Sequence, residues 1–470
     1  MAPIRLLNRG YAVPSSMWIG AHAAKVGKEP TFPDAASHTD DCFLTYLFDD
    51  TADKECHSEM TTLVQNRNYL KLISASVATN LADGIASVAF PWLATLLTRD
   101  PFLIGLVAFA GRLPWLLLAV PAGVITDRAD RRRLIVQADC FRLVLALGVV
   151  GLIWTLPTAP SPDAALPFIL ALSGLAFLLG CAEVVRDNTA QTLMPTVVGK
   201  SDLEKANGQL WSVETILGRF VGPPLAGLLI ALSLPFPFLL NAVAFALAAL
   251  TIWLIVLPPR IAPPKRSWRV ETMEGLAWLW TRPVLRRLAL SLGVINGLST
   301  LALVVLVLVS QERLGISASG FGLLLTAGAA GGVLGGFLCP VIIARIGAQR
   351  SLTVALGLIP VPFLVIGLAS NAMIIGAALF FQTIVAVLWN VVTVSYRQRA
   401  IPDELLGRVN SVYRFFGWGT MSLGALLGGT VVSVSEPSLG RDIALALPFI
   451  LAAIGTGLLF IWGMNRLKID

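Results

Sequence analysis

The strongest constraint on this chain is a succession of apolar runs that starts at Tyr69 and continues almost to the end. Each is about 20 residues long, the length an α-helix needs to cross a ~30 Å hydrocarbon core. Water is absent there, so backbone N–H and C=O groups must be satisfied within the segment, which calls for helices. The expected spans are 70–98, 102–125, 134–156, 164–190, 207–232, 235–257, 286–310, 319–343, 351–369, 372–395, 409–433 and 443–464. The fold class expected is an all-α membrane protein of twelve transmembrane helices. Composition agrees: 13% of residues are charged and 56% are hydrophobic, whereas a water-facing globule carries about 25% charged residues.

The spans divide six and six about the longest internal loop, 258–285, which holds Arg260, Lys265, Arg266, Arg269 and Arg282, with prolines at 258, 259, 263 and 264. The expected organisation is a polar N-terminal tail (1–68), a first bundle (69–257), this basic linker, and a second bundle (286–466). With the N-terminus in the cytoplasm, inner loops and the C-terminus carry 21 Lys and Arg, and outer loops carry three: Arg99, Arg313 and Arg441. Such an excess in short loops sets topology, so both termini are expected to be cytoplasmic, in the plasma membrane. The formal net charge of +7 is this loop bias, and no nucleic-acid partner is expected.

Residues 1–68 are polar, with Asp40, Asp41, Asp49, Asp50, Asp53, Glu55 and Glu59, and lack the apolar core of a cleavable signal. They read as a disordered cytoplasmic tail. Met60 lies about ten residues before the first span, so residues 1–59 also fit an over-called translation start. His38, Cys42, Cys56 and His57 match no zinc spacing, and Cys140, Cys181 and Cys339 lie inside apolar runs. Neither a metal nor a disulfide framework is expected, and no cofactor.

The halves repeat. Gly105, Gly111, Arg128 and Arg133 align with Gly322, Gly328, Arg345 and Arg350 at a constant offset of 217 residues, and Pro195, Leu203 and Asn207 resemble Pro402, Leu406 and Asn410. Parallel repeats of this kind mark transporters whose two bundles rock about a central site.

Two motifs then carry a family resemblance over residues 69–466. The loop after the second span, Gly123-Val-Ile-Thr-Asp127-Arg128-Ala-Asp130-Arg131-Arg132-Arg133, is similar to the GxxxDRxGRR signature of the major facilitator superfamily. The fifth span, with Gly218, Gly222, Pro223, Pro224 and Gly227, is similar to the GxxxGPxxGG pattern of its drug:proton antiporters. The wording around both resembles macrolide and siderophore efflux pumps. The resemblance implies the two-bundle major facilitator fold, a monomer, and efflux by alternating access. It also implies a gating latch in which Asp127 faces the start of the eleventh helix near Val409 to Ser411, with Arg128 and Arg131 pairing across the bundle interface. An anion at a helix N-terminus gains about 0.3–1 kcal/mol. Arg132 and Arg133 need no more than the inside-positive bias. Two residues depart from the pattern: Asp130 stands where the family has a glycine, and Ala344 replaces the latch acid in the second half. The glycines of the fifth span permit close helix approach and its prolines bend the helix, which fits a leak-limiting joint or a plain kink equally.

The spans of the first half hold Asp83, Arg112, Asp139, Arg142, Glu183, Arg186, Asp187, Glu214 and Arg219; those of the second half hold almost no charge beyond Arg414 near an end. Such residues cost about 2.5–3.5 kcal/mol each at a helix centre and are functional by default. Asp83 and Arg112 fall near the middle of adjacent spans and are expected to pair. Glu183, Arg186 and Asp187 share one helical face. Spans three to five are expected to form a nearly balanced network with Arg186 and Arg142 holding Glu183 and Asp187. An acid whose partner moves during rocking changes its proton affinity, so the proton carriers expected are Asp83 and Glu214, then Glu183 and Asp187; a purely structural network is the rival.

In the second half Asn296, Gln382, Trp389 and Asn390 are the candidate cavity residues, suited to a bulky amphipathic organic molecule. Proton-coupled import shares fold and coupling and stays open. A membrane enzyme or lipid-handling protein would need a catalytic constellation, and the spans contain no histidine, GxSxG or P-loop; the chain is not expected to be an enzyme.

Overall fold

A computed structural model of the chain describes residue 63 and residues 65–156, 162–199, 202–256 and 268–469. The N-terminal tail, with its His and Cys residues, lies outside the described residues. Among the described residues there is no strand, and twelve helices are long and apolar enough to cross a membrane. In order they are Arg67–Leu97, Pro101–Arg128, Arg131–Trp154, Pro162–Val197, Lys205–Leu232, Phe236–Trp253, Pro283–Arg313, Ala318–Ile346, Ala348–Leu368, Ala372–Ala400, Asp403–Leu439 and Arg441–Arg466. Large apolar side chains such as Leu232, Leu368 and Val434 remain exposed on the perimeter, as a lipid-facing surface requires.

Polar residues fix where several spans begin. The side chains of Asn66, Asp100, Asp130, Ser317 and Asn371 each accept a backbone N–H of the first turn that follows, a cap worth about 0.5–2 kcal/mol. Asp130 explains its own departure from the loop motif. Its backbone is extended (φ −67°, ψ 110°) and its carboxylate accepts from Arg133 N at 3.1 Å, so no glycine is needed. The residue 217 positions later, Gly347, has φ +82°, a conformation that favours glycine.

The linker is not all loop. Residues Trp268–Thr281 form a helix, because the prolines that argue for a loop end at position 264. It packs on the eleventh span, where a Cβ on Gly275 would lie 2.8 Å from Arg408 O. The fifth span is also broken in register: Glu214–Val221 is a π-helical segment between α-helical ends. Pro223 and Pro224 follow at once and have no N–H to donate, so the preceding carbonyls must find other donors.

In the first bundle the first span packs on the fifth and sixth, and the fourth on the second and third; in the second bundle the seventh packs on the eleventh and twelfth, and the eighth on the tenth. The bundles meet along two seams, second against eleventh and fifth against eighth. Loops after even-numbered spans share one face with most of the basic residues, here called the basic face; loops after odd-numbered spans form the opposite face.

Candidate functional site

The intramembrane charges converge on one cluster inside the first bundle. Arg142 of the third span pairs with Asp83 of the first and lies over the Phe245 ring of the sixth at 4.1 Å. Arg186 of the fourth span pairs with its neighbour Asp187 at 3.2 Å and approaches Asp139 of the third at 3.8 Å. Asp139 is fully buried, and neither of its carboxylate oxygens has a hydrogen bond among the described residues. Buried charge is tolerable only when paired, so the arginines hold this site together. Arg112 and Glu183 interact electrostatically with each other, and Glu183 also with Asp83, Asp187 and Arg142. Among the described residues Glu183 makes no ion pair as close as those of Asp83, Asp139 and Asp187. Asp83 and Glu183 are partly exposed and Arg112 is exposed.

Three expected groupings change. Arg186 holds Asp187 as expected, but among the described residues neither Arg186 nor Arg142 makes an ion pair with Glu183. Asp83 pairs with Arg142 rather than Arg112, because the first and third spans pack side by side on the sixth and the long Arg142 side chain bridges them over Phe245. Glu214 stands apart: it pairs with Arg219 at 3.2 Å within the π segment, both side chains about half exposed (49% and 61%). A π turn brings residues five apart onto one face, so these two satisfy each other.

The side chains of Asp127 and Arg128 lie outside the described residues. Arg131 donates to Thr192 O at 2.6 Å, at the end of the fourth span of its own bundle, rather than only across the interface. Arg132 donates to Ile255 O at 3.0 Å, a specific contact where plain loop charge was expected. A Cβ on Gly123 would meet nothing within 4 Å. Two of the fifth-span glycines, by contrast, are tight. A Cβ on Gly222 would lie 2.6 Å from Gly84 Cα, and one on Gly227 would lie 2.5 Å from Ser319 Cα of the eighth span. Gly218 faces Asn80 O more loosely, at 3.5 Å, and Pro223 O would be 2.3 Å from a Cβ on Gly322. The motif therefore joins the first span, beside Asp83, to the other bundle.

Of the cavity candidates, Asn296 donates to Gly417 O at 2.7 Å, Gln382 is half-buried and Asn390 is exposed. Trp389 does not line a wall: it is 2% exposed and sits in the apolar core. The indole points with the packed side of the tenth helix, a turn's fraction away from Asn390. The aromatics at the seam are instead Trp115 and Trp418, with ring centroids 4.8 Å apart across the bundles.

A second ionic group closes the opposite face, where sequence showed only three scattered arginines. Arg441 donates to Glu312 at 2.8 and 3.0 Å, to Glu436 at 2.7 Å and to Arg99 O at 2.9 Å. Ser433 donates to Asp100 at 2.8 Å, and Gln311 donates to Thr95 at 2.8 Å. Several of these bonds join the first bundle to the second. The depression of about 500 Å³ among these residues is walled by ion pairs already made with one another, so it belongs to the closure and is not a ligand site.

Known proteins resemble this arrangement. A family model described as "Transmembrane secretion effector" (MFS_3) matches residues 60–460. The multidrug efflux pump Tap of Mycolicibacterium fortuitum is 28% identical over 409 residues, 82% of this chain and 94% of that protein. The enterobactin exporter EntS of Salmonella choleraesuis is 26% identical over 406 residues, 82% and 89% of the two chains. Among solved structures, a point mutant of the nucleoside transporter NupG aligns with TM-score 0.68 at 12% identity, covering 85% of this chain and 100% of that one. A bacterial homologue of the iron transporter ferroportin aligns with TM-score 0.65 in its inward-facing state and 0.56 in its outward-facing state, at 17% and 18% identity; each alignment covers 85% of this chain, and 99% and 100% of the other.

Proposed function

Because this chain belongs to the transmembrane secretion effector family of major facilitator transporters, we propose that it exports an amphipathic organic small molecule from the cell by proton antiport. The names of Tap and EntS, an efflux pump and an exporter, support the direction, as does the glycine-proline joint of the fifth span. Basic loops stay on the cytoplasmic side, so the basic face is assigned to the cytoplasm, in the plasma membrane, and the face closed by Arg441 to the outside.

The observation that carries the coupling is Glu183: a partly exposed acid inside a membrane span, beside three carboxylates that already have arginine partners. A carboxylate without a fixed partner can exchange a proton with little rearrangement, whereas Asp83, Asp139 and Asp187 would first have to leave their guanidinium groups. Asp83 and Asp187 set the field around it, and Glu214, tied to Arg219, is a weaker candidate. The second-bundle wall offers apolar surface and a few polar groups such as Gln382 and Asn390, which suits a molecule held mainly by apolar contact. With the outer face closed, cargo would enter from the cytoplasm; rocking about the two seams would break the outer ion pairs and expose it outside. Asp127 near the eleventh helix remains the proposed latch of the alternate state.

Inverted membrane vesicles from a pump-deficient host test this reading with ethidium as the probe. An imposed proton gradient, acid inside, should drive ethidium uptake by the wild-type protein. Glu183→Gln should abolish that response at normal expression. Uptake indifferent to the gradient, or driven in the reverse sense as by a symporter, would overturn the proposal.

A further inference from the structure

The cluster in the first bundle is one positive charge short. It holds four acids, Asp83, Asp139, Glu183 and Asp187, and three arginines, Arg112, Arg142 and Arg186. The missing charge comes from the other bundle. Arg414 of the eleventh span donates to Gln191 Oε1 of the fourth span at 3.3 Å. Its guanidinium carbon lies 5.6 Å from the Trp115 ring centroid of the second. Gln191 is one helical turn beyond Asp187, on the same face, and Arg414 interacts electrostatically with that carboxylate. We propose that Arg414 is the counter-charge through which the second bundle responds to the occupancy of the acidic cluster in the first.

The neighbouring charges are otherwise engaged. Arg408, two turns earlier on the eleventh span, pairs with Glu274 of the linker helix at 2.7 Å. Arg397 of the tenth span lies 4.6 Å over the Tyr413 ring, whose hydroxyl donates to Leu285 O of the seventh. From the second span Arg112 faces Glu183, and from the fourth Arg186 holds Asp187 and Asp139. The twelfth span has its charges at its two ends, Arg441, Asp442 and Arg466.

The consequence follows from charge alone. With all four acids ionised, Arg414 brings the cluster to neutrality and the cytoplasmic halves of the bundles attract. When a proton or a cationic cargo occupies the cluster, it is neutral without Arg414, and the attraction across the seam is lost. Arg414 thus acts as a positioning residue: it reads the acids but need not carry the proton. The inference rests on the proton-coupled reading above, and its experiment separates the two.

Spin labels placed at Gly199 and Ala400, at the cytoplasmic ends of the fourth and tenth spans, report separation of the bundles by pulsed electron resonance in the purified full chain. Arg414→Gln should raise the ratio of separated to closed populations by about 5–150-fold, the usual range of coupling between sites, while Arg414→Lys should stay near wild type. In an Asp187→Asn background, which removes the surplus acid, Arg414→Gln should have little further effect. An effect of Arg414→Gln that is the same in both backgrounds, or absent in both, would overturn the assignment. Ethidium transport indifferent to the proton gradient, together with a distance response that vanishes in Asp187→Asn, would refute proton coupling and leave Arg414 in place.

Discussion

Replacing Gly227 by alanine should open the outer face of the protein without weakening either bundle. The added Cβ would lie 2.5 Å from Ser319 Cα and 2.6 Å from Ala318 O. Both are at the start of the eighth span, so backbone rather than a flexible side chain must yield. Overpacking of this kind costs about 1–3 kcal/mol. The contact joins the fifth span to the eighth across the bundle interface, and under the proposed rocking of the bundles it is made only while the outer face is shut. The cost therefore falls on that state, and the open-to-closed ratio should rise by about 5–150-fold, taking ~1.4 kcal/mol per factor of ten. Gly222→Ala is the control: its Cβ would lie 2.6 Å from Gly84 Cα, but that contact is inside the first bundle and persists in both states. The assay is labelling of Thr95→Cys by an external, impermeant maleimide in a background without native cysteines. Thr95 is 2% exposed beneath the outer ion pairs. Gly227→Ala should speed labelling, and Gly222→Ala should lower the melting temperature with little effect on the rate. Equal rates for Gly227→Ala and wild type, both well expressed, would refute a state-specific contact.

Arg441→Ala should also speed labelling of Thr95→Cys, because it removes the hydrogen bond that this guanidinium donates across the interface to Arg99 O, worth about 1.5–3 kcal/mol for a charged donor; an unchanged rate would mean that Arg441 does not hold the face shut. Asp139→Asn leaves Arg186 with one fewer anion in a dry site, where breaking a buried pair costs about 3–5 kcal/mol, so a sharp loss of folded protein on size-exclusion chromatography is expected, and wild-type yield and melting would count against the pairing. At the loop after the second span, Asp130→Ala should lower thermal stability by about 0.5–2 kcal/mol and Asp130→Gly by less, whereas a turn needing positive φ would give a glycine gain.

Much of the fold was legible because lipid imposes a simple rule: apolar runs of the right length must be helices. The twelve spans and the two-bundle fold follow from it, and the motif at Asp127 and the fifth-span glycines led to the family. The set of intramembrane charges was also legible, but their partners were not. Depth along neighbouring spans matches Asp83 to Arg112, and depth says nothing of which helix faces which. Arg142 reaches Asp83 from the third span because both helices pack on the sixth. The Glu214–Arg219 pair was hidden by a π turn, since helical spacing rules assume 3.6 residues per turn. Arg414 looked peripheral because it lies near a predicted span end, yet it reaches the other bundle. The linker helix was masked by its basic, proline-rich beginning. The outer closure left the faintest trace, since Arg99, Glu312, Glu436 and Arg441 come from three separate loops and only folding brings them together.

Proton movement accompanying transport tests the central claim most directly. The protein reconstituted in liposomes with an internal pH-sensitive dye, and no imposed gradient, would be given ethidium on its cytoplasmic-facing side. Substrate moving in should drive protons out, so the lumen of correctly oriented vesicles should become alkaline, and Glu183→Gln should abolish the signal while still binding ethidium. Ethidium flux without any change of internal pH, or an undiminished pH change in Glu183→Gln, would contradict proton antiport through this acid.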